Sequence, residues 1–170
     1  DRSVSRGLGD VYKRQDAELS PVDAFIVDAC LDYSGHGSRP DERIARAYQM
    51  LEEDPSLATN SLGALATVGD HNRLRTMLDE TPDAVNAPCG PNQWPPLLYA
   101  TFSRIRTDNP AWSPTETVQL LLERGADPNA GFLWRGLVPP FTALTGALGG
   151  GEHHQSWHPN RLELAELLLD

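Results

Sequence analysis

The sequence has few of the residues that define disulfide-rich, membrane-spanning or nucleic-acid-binding proteins. Cys30 and Cys89 are its only cysteines, too few for a disulfide framework, and they predict two reduced thiols in a reducing, cytoplasmic compartment. No apolar run approaches the ~18 residues that a membrane-spanning helix needs. Basic residues are also scarce, since 14 lysines and arginines stand against 24 aspartates and glutamates, a formal charge of −10. This charge repels phosphate backbones, so we expect neither a nucleic-acid partner nor a membrane partner.

Lysine is almost absent, and its single occurrence sets the N-terminal segment apart. Lys13 is the only lysine, whereas residues 16–170 contain ten arginines, the bias of a GC-rich coding sequence. Ser5 to Gln15 breaks that bias, and all eleven residues match the in-frame translation of a transposase adapter used in sequencing libraries. We therefore interpret residues 1–15 as an adapter-derived, non-native and disordered segment. A native basic arm is the alternative.

The rest of the chain has the composition of one globular domain, and it repeats a pattern. The pattern is the end of an amphipathic helix, an acidic turn and a short extended stretch; its four copies begin at Met50, Met77, Leu121 and Leu168. Apolar residues at helical spacing precede each copy, which predicts helices that bury one face. A shorter helix of small and apolar residues is predicted before the later copies, in segments 60–69, 95–102 and 141–148.

An atypical pair of helices is predicted at the N-terminal side of the repeats. Ser20 and Pro21 begin a helix that carries Phe25 and Ile26, and a second helix begins at Asp41 after a loop rich in Gly, His, Ser and Pro. The first repeat of a stack has one face in water and is expected to differ from the others. We therefore interpret residues 16–59 as a helical capping pair.

This pattern resembles the ankyrin repeat. Gly125 to Ala130 is similar to the family's Gly-Ala-Asp-Val-Asn-Ala, with Pro128 in place of valine. Pro96, Leu97 and Ala100 match positions of the family's first helix, although Leu98 stands where histidine is usual. The resemblance implies an all-α fold, an ankyrin-like solenoid of stacked antiparallel helix pairs with long inter-repeat connections. It places repeats within residues 60–170, at about 60–88, 94–130 and 141–170, the last of them truncated.

The resemblance also implies a noncatalytic module that binds a protein partner, is monomeric and needs no cofactor. In ankyrin-like folds the inter-repeat connections project like fingers beside the first helices. The partner-binding residues implied on that side are Asn92, Gln93, Trp94, Tyr99, Phe132, Trp134 and Arg135. Tryptophan is favoured at interaction hot spots, but Trp94 and Trp134 could equally pack the long connections onto the stack. A recognition segment of a larger toxin, enzyme or immunity protein is a further possibility.

Two longer connections carry the remaining candidates for chemistry. Glu152, His153, His154 and His158 are residue types that bind zinc, so a metal-binding or metal-dependent hydrolase site is the alternative function. Adjacent histidines in a glycine-rich loop aim poorly at one ion, however, and a solvated insertion is favoured. Arg104 and Arg106 flank the other insertion, and we expect them to pair with Asp108 on a solvated loop. No catalytic residue and no metal ligand are assigned.

Overall fold

The computed structural model of the chain describes residues 19–31, 39–133, 136, 138–150 and 156–170. The segment assigned to an adapter, residues 1–15, lies outside these ranges, as do Trp134, Arg135 and residues 152–154. The described part is mainly helical, with eight α-helices and one two-stranded sheet, in agreement with the all-α class. Among these residues, no helix combines the length and the apolarity needed to cross a bilayer.

The α-helices are α1 (Pro21–Ala29), α2 (Pro40–Glu53), α3 (Leu62–Val68), α4 (His71–Glu80), α5 (Pro96–Phe102), α6 (Pro114–Glu123), α7 (Ala143–Leu148) and α8 (Arg161–Leu169). The strands β1 (Gly131–Phe132) and β2 (Phe141–Thr142) pair antiparallel. Several boundaries differ from the sequence prediction by one or two residues, among them the starts of α3 at Leu62 and of α5 at Pro96. Helix α2 begins one residue earlier, at Pro40, and Phe141 and Thr142 belong to a strand and not to the helix that follows.

The predicted extended stretches after α2 and α4 are wrong, because both are 3₁₀ turns, Pro55–Ala58 and Pro82–Asn86. Each turn starts with a proline, whose fixed φ suits the first position of a helical turn. The Asp54 carboxylate accepts a hydrogen bond from the Ser56 amide, 3.0 Å away, at the start of the first turn. The acidic residue that the repeat pattern placed there thus caps a turn.

Short polar side chains begin several helices, as the sequence leads one to expect. The side chains of Ser20, Ser61, Asp70 and Ser113 each accept a hydrogen bond from an amide in the first turn of the following helix. These bonds satisfy amides that have no acceptor within the helix. Gly69 ends α3 with φ 83°, a left-handed conformation that glycine adopts at little cost.

The helices pack in consecutive pairs, α1 with α2, α3 with α4, α5 with α6 and α7 with α8. The first helices of these pairs also contact one another in chain order, from α1 through α3 and α5 to α7, and α4, α6 and α8 do the same. Leu74, Thr117 and Leu164, each the fourth residue of its helix, are all 0% exposed. One apolar core runs through all four pairs.

Helix α5 lies at the centre of this core, and all seven of its residues are buried. Its last residue, Phe102, packs directly on Gly146 of α7, where an added Cβ would collide with the Phe102 ring. Close approach of α5 and α7 therefore depends on a residue without a side chain at that position.

Candidate interaction surface

A short hairpin precedes α5, and we name residues 89–94 the first finger. The Cys89 amide donates to the Trp94 carbonyl over 2.9 Å. Gly90 and Gln93 have φ values of 62° and 53°, and the Gln93 side chain donates to the Gly90 carbonyl over 2.8 Å. Because these bonds close the turn on itself, Gln93 lies at a defined, exposed tip.

Tyr99 fixes the first finger to the core. Its hydroxyl donates to the Cys89 carbonyl over 2.7 Å and accepts from the Asn92 amide over 3.1 Å. The side chain is 0% exposed, and this burial raises the pKa of the Tyr99 hydroxyl. Tyr99 therefore holds the first finger against the core and has no exposed surface for a partner to contact.

Trp94 is also directed inward. It is 5% exposed and its ring lies 5.4 Å from that of Tyr99 and 5.1 Å from that of Phe102, measured between centroids. The Phe132 ring stacks on it at 4.5 Å with an interplanar angle of 24°. This geometry favours the loop-packing role of Trp94 over direct contact with a partner.

Residues 131–133 and 138–142 are the described part of a second connection, which we name the second finger, and β1 and β2 pair within it. Phe132 is half-buried and faces Phe141 across the strands, with ring centroids 5.8 Å apart. Because Phe132 also stacks on Trp94, the two fingers lie side by side. Beyond the strands, Leu133 and Val138 are 52% and 79% exposed.

The structure thus brings Trp94, Tyr99 and Phe132 into one cluster, with Asn92 half-buried and Gln93 exposed beside it. Trp134 and Arg135 lie outside the described residues. Sequence reasoning missed the exposed aliphatic side chains of the second finger, Leu133 and Val138. In the sequence, each is a single apolar residue in a segment rich in glycine and proline. Such a residue indicates an interaction surface less strongly than a tryptophan does.

The opposite ends of the helix pairs contain a second ordered region. Residues 103–113, which join α5 to α6, form what we name the strap. The Ser103 hydroxyl donates to the Thr67 carbonyl over 2.6 Å, and the Ser113 amide donates to the Gly69 carbonyl over 2.7 Å. The Tyr48 hydroxyl exchanges two hydrogen bonds with the backbone of Arg106, at 3.0 and 2.6 Å. The strap therefore ties α5 to α2 and to the end of α3.

The prediction that Arg104 lies on a solvated loop is wrong. Its side chain is 4% exposed and donates to five backbone carbonyls. The carbonyls belong to Thr101, Ser103, Gly146, Gly149 and Ser156, at distances from 2.7 to 3.2 Å. Five N–H groups in a rigid fork match this arrangement, so Arg104 links the strap to α7 and to the segment before α8.

His158 lies next to this arginine. It is 2% exposed and its Nδ1 accepts a hydrogen bond from the Asn160 amide over 3.1 Å. Burial, reinforced by the charge of Arg104, lowers the pKa of His158 to about 3. The imidazole is therefore neutral at physiological pH, and one of its nitrogens is already engaged.

The other three candidate metal ligands, Glu152, His153 and His154, lie outside the described residues. Among the residues that the structure does describe, no three His, Cys, Asp or Glu side chains are grouped to hold a metal ion. The metal-site alternative thus remains a prediction from sequence.

Cys89 is the thiol nearest to the fingers. Burial raises its pKa to about 11, and its Sγ donates to the Trp94 carbonyl over 3.3 Å. A thiol with this pKa is protonated at neutral pH and is a poor nucleophile. Its role in this geometry is to close the first finger.

Comparison with known proteins assigns no family: no family model matches the chain, and neither a curated protein nor a solved structure matches it significantly.

Proposed function

We propose that this chain is a noncatalytic protein–protein interaction module, built as an ankyrin-like solenoid and recognising its partner through the tips of the two fingers. The observation that carries the proposal is the stacking of Trp94 on Phe132, which holds two neighbouring connections side by side. Fingers that are ordered before binding lose little conformational entropy on association.

The solenoid part of the proposal is supported by the order of the helix contacts, since each pair packs on the next. A polar contact between two turns supports it further. The Asn86 side chain donates to the Gly125 carbonyl over 2.8 Å and accepts from the Asp127 amide over 2.9 Å. The Asn86 side chain thus joins the turn after α4 to the equivalent turn after α6. A hydrogen bond between equivalent turns is what successive repeats of a solenoid would form.

The recognition surface that we propose differs in emphasis from the one implied by sequence. Gln93 in the first finger and Leu133 and Val138 in the second are exposed and would contact the partner directly. Phe132, half-buried, would contribute its outer edge. Trp94 and Tyr99 would act by fixing the fingers, while Trp134 and Arg135, outside the described residues, remain contacts predicted from sequence.

The test is affinity measurement with a partner captured by the full chain and then purified. We expect the double variant Leu133→Asp, Val138→Asp to weaken binding at least tenfold, because it buries two charges at an apolar contact; tenfold corresponds to about 1.4 kcal/mol. The control is Leu19→Asp, a position 47% exposed and distant in sequence from both fingers, which should leave the affinity within about twofold. Equal binding by the double variant and the parent would refute the finger-tip surface.

A further inference from the structure

A groove of about 270 Å³ lies between the strap and the start of α8. The strap contributes Arg106, Trp112 and Ser113, and the α8 side contributes Pro159 and Asn160. None of the described residues that line the groove is acidic, although the chain has 24 aspartates and glutamates. The lining of the groove therefore carries no negative charge of its own within the described residues, and it involves no finger residue.

Three of the side chains that line the groove, Arg106, Trp112 and Asn160, carry N–H groups that can donate hydrogen bonds to a ligand. Arg106 is exposed, and its guanidinium has no ion pair or hydrogen bond within the described part of the chain. Asn160 precedes α8, but its side chain does not cap that helix. Trp112 adds an indole N–H and a flat apolar surface; its half-buried ring packs against the core.

We propose that this groove binds a carboxylate joined to a small apolar group. A guanidinium forms paired hydrogen bonds with a planar carboxylate, and the Asn160 amide can donate to the same group or to a neighbouring acceptor. Trp112 and Pro159 would contact the apolar part. Pockets for drug-sized ligands begin near ~300 Å³, so this groove suits a ligand about the size of one or two amino-acid residues.

Such a carboxylate can come from a free small acid or from the C-terminus of a peptide, and matched probes separate the two sources. The free-acid probes are N-acetyl-leucine and its neutral amide. The peptide probes are a hexapeptide ending in Ala-Leu with a free carboxylate and the same peptide amidated. The readout is the indole N–H signal of Trp112 in a ¹H–¹⁵N spectrum of the full chain, assigned with the variant Trp112→Phe.

We expect the free acid, the free-carboxylate peptide or both to shift the Trp112 signal at millimolar concentration, while the amidated probes leave it in place. Arg106→Gln should weaken this binding at least tenfold. Arg75→Gln should not change it, because Arg75 is an equally exposed arginine on α4. Three results would each overturn the proposal: equal shifts with amidated probes, unchanged affinity in Arg106→Gln, or no shift with either carboxylate.

Discussion

The two ends of the helix pairs are held together in different ways. At the finger end, the contacts are between aromatic rings, with Trp94, Phe102 and Phe132 each in contact with the other two. At the strap end, they are hydrogen bonds from buried polar groups, above all Arg104 and Ser103. Ring packing depends mainly on buried area and shape, whereas the hydrogen bonds depend on donors at fixed positions. Replacing Trp94 by another aromatic residue should therefore preserve much of the stability of the finger end. Replacing Arg104 by lysine, which keeps the charge but not the donor positions, should destabilise the strap end.

Two of the strap's hydrogen bonds depend on the connection between α3 and α4, a turn of only two residues, Gly69 and Asp70. The short turn leaves carbonyls at the end of α3 without helical partners, and the strap supplies their donors. A Cβ at Gly69 would lie 2.9 Å from the backbone nitrogen of Pro114. The strap thus fits against the turn closely enough that a side chain there would displace it.

The largest effect is expected from replacing the buried arginine. Arg104→Met keeps most of the side-chain volume but leaves five carbonyls without their donor, and we expect a loss of about 4 kcal/mol in the free energy of unfolding. Arg104→Lys should recover little of this, because an ammonium group cannot reach all five carbonyls. Urea denaturation gives the values.

The matched control for this experiment is Arg75→Met, at an exposed arginine on α4, which should change stability by less than about 0.5 kcal/mol. If Arg104→Lys were as stable as the parent, the charge alone would suffice and the proposed contrast between the two ends would be wrong.

A somewhat smaller effect is expected at the finger end. Trp94→Ala should cost about 3 kcal/mol, because it opens a cavity between three rings, whereas Trp94→Phe should retain more than half of that stability. Trp157→Ala, at a position 44% exposed, is the control and should cost less than about 1 kcal/mol. Thermal unfolding of the three variants ranks their losses of stability. Equal losses for Trp94→Phe and Trp94→Ala would contradict the view that the buried area of the aromatic ring stabilises this end.

The smallest effect is a dependence of stability on pH through His158. Its folded-state pKa, about 3, lies below the ordinary value of 6.5, so below pH 6.5 the unfolded chain binds a proton that the folded chain excludes. The contribution of His158 to the free energy of unfolding is therefore fully present above pH 6.5 and is lost as the pH falls towards 3. Between pH 7.5 and 5 the expected loss is about 2 kcal/mol.

His158→Gln should lack this contribution, so the measurement is the difference in unfolding free energy between parent and variant at each pH. The carboxylates common to both proteins cancel in that difference. A difference that does not change between pH 7.5 and 5 would show that His158 is accessible to protons in the folded protein.

Local patterns in the sequence predicted much of the secondary structure, because they depend on neighbours along the chain. The cap at Ser20, the glycine end of α3 at Gly69 and the first-turn proline of α5 at Pro96 all follow from spacing. What could not be predicted was which side chains other segments cover. Arg104 and Trp94 lie in connections, where both are usually exposed, and contacts with segments distant in sequence, α7 for Arg104 and the second finger for Trp94, help to bury them.

The strap has a consequence for how such a chain could be shortened or recombined. Tyr48 of the first helix pair bonds the backbone of Arg106, and the Arg104 amide donates to the Ala29 carbonyl over 2.9 Å. These bonds join the first pair to the third and pass over the second. Proteins whose modules contact only their neighbours can gain or lose one module by gene duplication or deletion. Here, excising the first or the third pair would leave the groups that bond it on the other pair without partners, so we expect the loss of one pair to destabilise the rest of this part of the chain.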